Sequence, residues 1–354
     1  MASAPIKDRE QSACVSHVVY YFEWLRCFGA AAVVMIHVTS GIMDNHPVAE
    51  IGGVRALVWS EMQVALLRWA VPVFFMITGA LLLDSDKDVG WEKIATYVRR
   101  MVLVLCTFGL AFCFAQELFV QKTLSIQLAT SSVLNLLSGR GFSHLWYVYA
   151  LIGIYLLLPV MRAYIAAADK GSQQIFLAVL FTFTCVIPTI NAAFGLELST
   201  FIWFNSSMFY VLLGYYVYNY VQLNTRILVV GVVSLVLNMV LKACGILLLD
   251  EYWKWVHGPA CPLEALWSIC VFLLARRYFD RPFPARGWAI TAGYSFGIYV
   301  LHPLFINVLY KALGWGPWTM APVVFESSVW AIAFFGSVAL IWMLKKVPFF
   351  RTLI

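Results

Sequence analysis

The strongest constraint on this chain is a rhythm. Apolar runs of about 20 residues, each long enough to cross a hydrocarbon core of about 30 Å, recur from one end to the other. They fall near 18–38, 59–83, 97–120, 144–166, 175–195, 200–220, 226–249, 260–279, 289–310 and 322–344. Lipid offers the backbone no hydrogen bonds, so each run must close its own, and an open strand cannot. The expected fold is all-α: an integral membrane protein of about ten transmembrane helices. Composition agrees. Hydrophobic residues make up 62% and charged residues 12% of the 354 residues, against roughly 45–50% and 25% in a soluble chain. A soluble fold has too little interior to hide that apolar surface. Disorder, collagen and a disulfide-stapled secreted domain are excluded by the same arithmetic.

The first run reads as a retained helix. Residues 1–17 are polar and carry Lys7, Asp8, Arg9 and Glu10, and the apolar stretch that follows exceeds the core of a cleavable signal. With the N-terminus inside, the inner segments hold 16 Lys and Arg residues and the outer segments 6. The positive-inside rule then puts both termini in the cytoplasm, and it accounts for the net charge of +6 without nucleic acid. The longest outer connections, 39–58 and 121–143, hold no soluble domain. Residues 1–354 are expected to form one membrane-embedded domain, with 1–17 as a short cytoplasmic segment. The eight cysteines show no C-x-x-C pair and lie mostly in apolar runs, as small hydrophobes do.

Ionised side chains near a membrane centre cost about 2.5–3.5 kcal/mol on insertion scales, so each needs a reason. In the first run Arg26 and His37 are 11 residues apart, which at roughly 100° per residue places them on one face, about 16 Å apart. Glu23, three residues before Arg26, is spaced to pair with it. The remaining polar groups fall into two layers. The outer half holds His37, Arg68, Glu117, His144, Asn205, Asn238, Glu264, His302 and Asn307. The inner half and its rim hold Glu23, Arg26, Lys93, Tyr97, Arg99, Arg100 and Ser295. Polar groups at both depths point to a path through the bundle, as a transporter or a membrane-embedded transferase has. Metal motifs fail. In Asp84-Ser85-Asp86-Lys87-Asp88 the glycine comes one place late for a calcium loop and Ala95 stands where Glu is needed. No His/Cys cluster has zinc spacing, so no metal is expected. No G-x-S-x-G elbow is present. Asn205-Ser206-Ser207 fits a glycosylation acceptor but sits in a predicted span, where a polar helix contact suits it better.

Four segments in order resemble one family. They are Glu23-Trp24-Leu25-Arg26 followed by His37; Val71-Pro72-Val73-Phe74-Phe75-Met76-Ile77-Thr78-Gly79; His144-Leu145-Trp146-Tyr147 running into Tyr155 and Pro159; and Gly293-Tyr294-Ser295-Phe296-Gly297-Ile298-Tyr299-Val300-Leu301-His302-Pro303. Together they resemble the acyltransferase-3 family of integral membrane acyltransferases, and most of all the bacterial inner-membrane O-acetyltransferases that modify surface polysaccharides. The sequence departs from the family pattern in three places. Arg99 and Arg100 are adjacent, with Val102 where an R-x-x-R pattern would have its second arginine; Glu23 stands where Asp is commoner, and Thr78 where Ser is commoner.

The resemblance implies an acyl group, acetyl first among candidates, taken from cytoplasmic acyl-CoA and delivered to a hydroxyl of a cell-surface glycan or lipid-linked sugar. It implies His37 as the catalytic residue, with Arg26 acting beside it or at the donor. The chemistry of the residues is compatible. A phosphate-bearing donor suits a basic inner face, and Arg26, Lys93, Arg99 and Arg100 lie there, with Ser295 as a further donor contact or a helix cap. A sugar hydroxyl needs a base, and an imidazole with a pKa of about 6.5 is mostly neutral at pH 7; the ring could equally carry the acyl group in transit. Glu117 is expected to orient His37. His144, Trp146, Tyr147 and His302 are expected on the acceptor side. The competing readings are a secondary transporter or flippase for a polar or glycan-related solute, for which no paired half is visible by eye, and a structural membrane subunit indifferent to loss of His37.

Overall fold

The computed structural model describes residues 19–45, 50, 52–84, 89–198, 205–248, 261–316 and 321–354. Residues 85–88 of the calcium-like loop, Cys14, Lys7, Arg9 and Lys254 lie outside them. In chain order the helices are α1 Tyr20–Asn45, α2 Val54–Leu67, α3 Ala70–Leu82, α4 Trp91–Val104, α5 Leu110–Gln121, α6 Ile126–Leu137, α7 Trp146–Ala167 and α8 Lys170–Phe181. They continue with α9 Ile187–Phe194, α10 Ser206–Tyr220, α11 Thr225–Leu248, α12 Pro262–Tyr278, α13 Arg286–Gly293, α14 Ser295–Asn307, α15 Pro322–Leu344 and α16 Pro348–Leu353. The protein is an all-α integral membrane protein. Among the described residues, seven helical stretches are long and apolar enough to cross a membrane, and the pair α13–α14, bent by 77°, makes an eighth. Helices of 15 and 17 residues, α10 and α12, occupy the other two predicted runs.

Several predicted spans are broken. α2 and α3 form one stretch, Val54–Leu82. α4 joins α5, and α8 joins α9, through π-helical turns at Leu105–Gly109 and Thr182–Val186; a third, Val308–Ala312, extends α14. π-turns inside α-helices often mark functional places. The segment 121–143, expected as an outer connection, holds the additional helix α6, whose Ser125 side chain caps Leu128 N–H at 3.0 Å. Asn205 likewise caps α10, accepting from Ser207 N–H at 2.8 Å, so it serves the helix, as the sequence suggested.

α1 is the hub. It packs against α2, α3, α12, α13, α14 and α15. Over half of the most apolar window is buried in α1 (56%) and in Val54–Leu82 (61%), against 17–28% in the other spans, which face lipid. α3 packs extensively against α10, and Gly79 and Gly214 let the two backbones approach. A methyl at Gly79 would overlap the Val211 carbonyl, and one at Gly214 would overlap the Met76 backbone. Without a hydrophobic drive between helices in lipid, such backbone approach is what holds them.

Candidate active site

The face of α1 drawn from the sequence lines two cavities. At one end Arg26 borders a cavity of about 270 Å³ with Thr78, Tyr97, Arg100, Tyr147, Tyr155, Ser295 and Tyr299. At the other, His37 borders a cavity of about 340 Å³ with Ser40, Gln116, His144, Asn307 and Lys311. α14 lies beside α1 and repeats the pattern. Ser295 and Tyr299 reach the Arg26 cavity, His302 reaches His37, and Asn307 the far cavity. The positions 295, 299 and 302 recur every three or four residues, which puts them on one helical face.

Hydrogen bonds set the protonation pattern around His37. His302, fully buried, holds Nδ1 2.9 Å from the Ile298 carbonyl. A carbonyl only accepts, so that nitrogen carries the proton, and Nε2 of neutral His302 is left with a lone pair. That Nε2 is 3.0 Å from Nδ1 of His37, which is also 3.0 Å from the Val33 carbonyl. Both neighbours of His37 Nδ1 accept, so Nδ1 carries the proton, and Nε2 of His37 has the free lone pair. His37 is half-buried and lines the cavity. A base with a fixed tautomer therefore stands at the cavity wall. Its ring centroid is 4.9 Å from that of His302 and 6.4 Å from that of His144. His144, 3% exposed, keeps a buried Nε2 without a hydrogen-bond partner in the same cavity wall. The Tyr299 hydroxyl donates to the His144 carbonyl. Tyr299 and Tyr147, with centroids 5.1 Å apart, line the Arg26 cavity just below the three histidines.

The other predicted residues sort as follows. Arg26 pairs with Glu23 and lines its cavity. Arg100 and Ser295 line it too. Arg99 and Lys93 are exposed and are not part of that lining; adjacent residues on a helix point about 100° apart, so only one of Arg99 and Arg100 can face inward. Glu117 is not the group that orients His37. Its carboxylate accepts from Gln121 Nε2 and Asn135 Nδ2, both at 2.8 Å, and ties α5 to α6. Tyr147 lies on the Arg26 cavity and not on the expected acceptor side. Trp146, 41% exposed, borders neither cavity. His302 is too buried to meet an acceptor and instead holds His37. Tyr155 and Tyr299 were visible only as letters inside motifs. Tyr299 precedes His302 by three residues, a spacing that would have put both on one face. Among the described residues, no group of His, Cys, Asp or Glu is arranged to hold a metal.

An all-α membrane protein thus presents a histidine-walled cavity and an arginine-walled one on the same face of one helix. The chain belongs to the acyltransferase-3 family: that family's model, described as an acyltransferase domain, matches residues 19–346. No curated protein and no solved structure matches the chain significantly. It is a membrane acyltransferase.

Proposed function

We propose that the protein is an O-acyltransferase of a bacterial inner membrane. In this reading it moves an acyl group, acetyl first among candidates, from cytoplasmic acyl-CoA to a hydroxyl of a cell-surface glycan or lipid-linked sugar. The whole chain acts as one membrane domain with both termini in the cytoplasm, which turns the Arg26 end inward and the His37 end outward. The observation that carries the reading is the His37 ring, whose free Nε2 stands at a cavity wall one helix face above Arg26.

The residues fit a donor of this class at its reactive end. A cavity of about 270 Å³ is below the roughly 300–1,000 Å³ of sites that enclose a drug-sized ligand. It suits the slim thioester arm and leaves the nucleotide outside. Arg26 and Arg100 supply positive charge at its wall, and Tyr97, Tyr155 and Ser295 supply hydroxyls. His37 Nε2 takes the proton of the acceptor hydroxyl as its oxygen bonds to the thioester carbon. The C–S bond breaks, and the imidazolium returns that proton to the leaving thiolate. In the alternative, Nε2 attacks the thioester carbon itself and the C–S bond breaks to release the thiolate; the hydroxyl oxygen then bonds to the acyl carbon as the acyl–nitrogen bond breaks, and the hydroxyl proton goes to the thiolate. In this reading His144, which lines the same cavity beside His37, meets the acceptor.

The test is thiol release from acetyl-CoA by the purified protein in vesicles. His37→Ala is expected to lose about 10²–10⁴-fold in turnover while folding normally. Unchanged turnover in that variant rejects the assignment.

A further inference from the structure

A third cavity, of about 370 Å³, lies between α5 and α14 beside the His37 cavity. On α5, Phe112, Ala115, Gln116 and Phe119 share one helical face; on α14, Pro303 and Asn307 share another, and the π-turn adds Lys311. Phe119, Val120, Leu304 and Val308, also in its walls, are exposed large hydrophobics on stretches apolar enough to span, so this side of the groove faces lipid. The groove adjoins the His37 cavity: Gln116, Phe142, Pro303, Asn307 and Lys311 line both. Among the described residues, the polar side chains of the groove, Gln116, Asn307 and Lys311, are all shared ones. The groove is therefore apolar toward the lipid and polar toward His37. Lys311 is exposed, and among the described residues no ion pair engages it. A sugar chain in water has no use for such a slot, whose apolar walls offer its hydroxyls no hydrogen bonds. A hydrocarbon chain has one.

We propose that this groove holds the hydrocarbon chain of the acyl acceptor, an amphiphile that enters sideways from the bilayer. Its chain lies between α5 and α14, its phosphate meets Lys311 at the seam, and its hydroxyl-bearing head reaches the cavity of His37. The site rests on the acyltransferase reading above and narrows its acceptor to the lipid-linked class. Two observations carry it: the continuity of the apolar groove with the histidine cavity, and the unpaired cation where they join. Ordinary bilayer phospholipid is the competing occupant, and the test separates the two.

The probe is dodecyl phosphate with a photoreactive diazirine at the end of its chain, added to the protein in phosphatidylcholine vesicles and mapped on the peptides after illumination. Saturable labelling is expected on the groove walls of α5 and α14. Plain dodecyl phosphate should displace it, and methyl phosphate should not. Thiol release from acetyl-CoA should fall over the same range of dodecyl phosphate concentration, because the phosphate head stands in the cavity of His37. Lys311→Gln should raise the half-saturating concentration by about 10-fold, as expected for a lost charge-assisted hydrogen bond, and Lys311→Arg should restore it. Val308→Trp, which fills the groove from its lipid side, should abolish the saturable label; Lys311 is exposed, so its variants decide the matter even if the tryptophan disturbs folding. Labelling that does not saturate, that spreads evenly over the lipid-facing helices, or that phosphatidylglycerol displaces as well as dodecyl phosphate does, gives the groove to bilayer lipid and overturns the proposal. So does saturable labelling that leaves thiol release untouched. Thiol release that depends on His37, with no saturable label, keeps the acyltransferase reading and removes the groove. A saturable label on a protein that releases no thiol removes that reading, and the acceptor role with it.

Discussion

At the scale of single residues, the proposed chemistry rests on one proton. Two backbone carbonyls, Ile298 and Val33, act through His302 and His37 to leave the lone pair on His37 Nε2. In the proposed reaction His302 is thus a positioning residue. His302→Ala should lower kcat by about 10- to 100-fold, the scale on which a second partner of a reactive histidine counts, with KM for acetyl-CoA unchanged. His302→Gln, whose amide oxygen can still accept from His37 Nδ1–H, should recover much of that. Steady-state kinetics on both variants decide it, and a fall in His302→Ala that His302→Gln does not relieve would point to packing instead. The Arg26–His37 stripe was legible because both lie on one helix, where spacing alone sets the face. The partner of His37 was not. It is 265 residues away, and Glu117 was nearer in expected depth than in space. The exchange of Tyr147 from one cavity to the other has the same origin, since sequence depth does not say which side of Tyr299 a ring falls on.

At the scale of elements, the breaks matter more than the runs. Hydropathy finds an apolar stretch but is blind to the π-turn at Val308–Ala312, which carries Lys311 to the His37 cavity, and to the 77° bend that starts α14 at the Arg26 cavity. α6 escaped because 12 residues are too few for a span and its apolar face meets lipid. Gly79, read in a family motif, has a mechanical reason here: it admits the α10 backbone. Gly214→Ala should therefore destabilise the protein by about 1–3 kcal/mol or more through overpacking against backbone that cannot yield. Gly153→Ala, on the open face of α7 with no neighbour within 4 Å, should be neutral or slightly stabilising. Thermal unfolding in detergent compares them, and equal melting temperatures would refute the close-approach argument.

At the scale of the whole molecule, a second polar system stands apart from the cavities of Arg26 and His37. Away from the histidines, Lys242 Nζ on α11 lies 3.1 Å from Glu61 Oε2 on α2, both at most 2% exposed. Beside them Glu264 on α12 meets Asn238 Nδ2 at 3.5 Å and Arg68 Nε at 3.9 Å. Lys242 is one of the six Lys and Arg residues counted above to the outer segments; its ammonium is instead inside the bundle, where Glu61 supplies the opposite charge. These groups pin α2 to α11 and α12, and α2 continues into α3 beside α1, so they brace the helix that carries Arg26 and His37. A buried pair is worth little against an apolar pair of the same shape, but removing one partner is expensive. Lys242→Met should therefore cost about 3–5 kcal/mol, because the Glu61 carboxylate loses its ammonium in a medium that solvates it poorly. The double variant Lys242→Met/Glu61→Leu should recover most of that stability and, since neither group touches a cavity, most of the thiol release. Unfolding of the two variants in one detergent measures the difference. If the double variant is no more stable than Lys242→Met, the pair is not the brace, and the rigidity of α1 must come from apolar packing against α3, α14 and α15 alone.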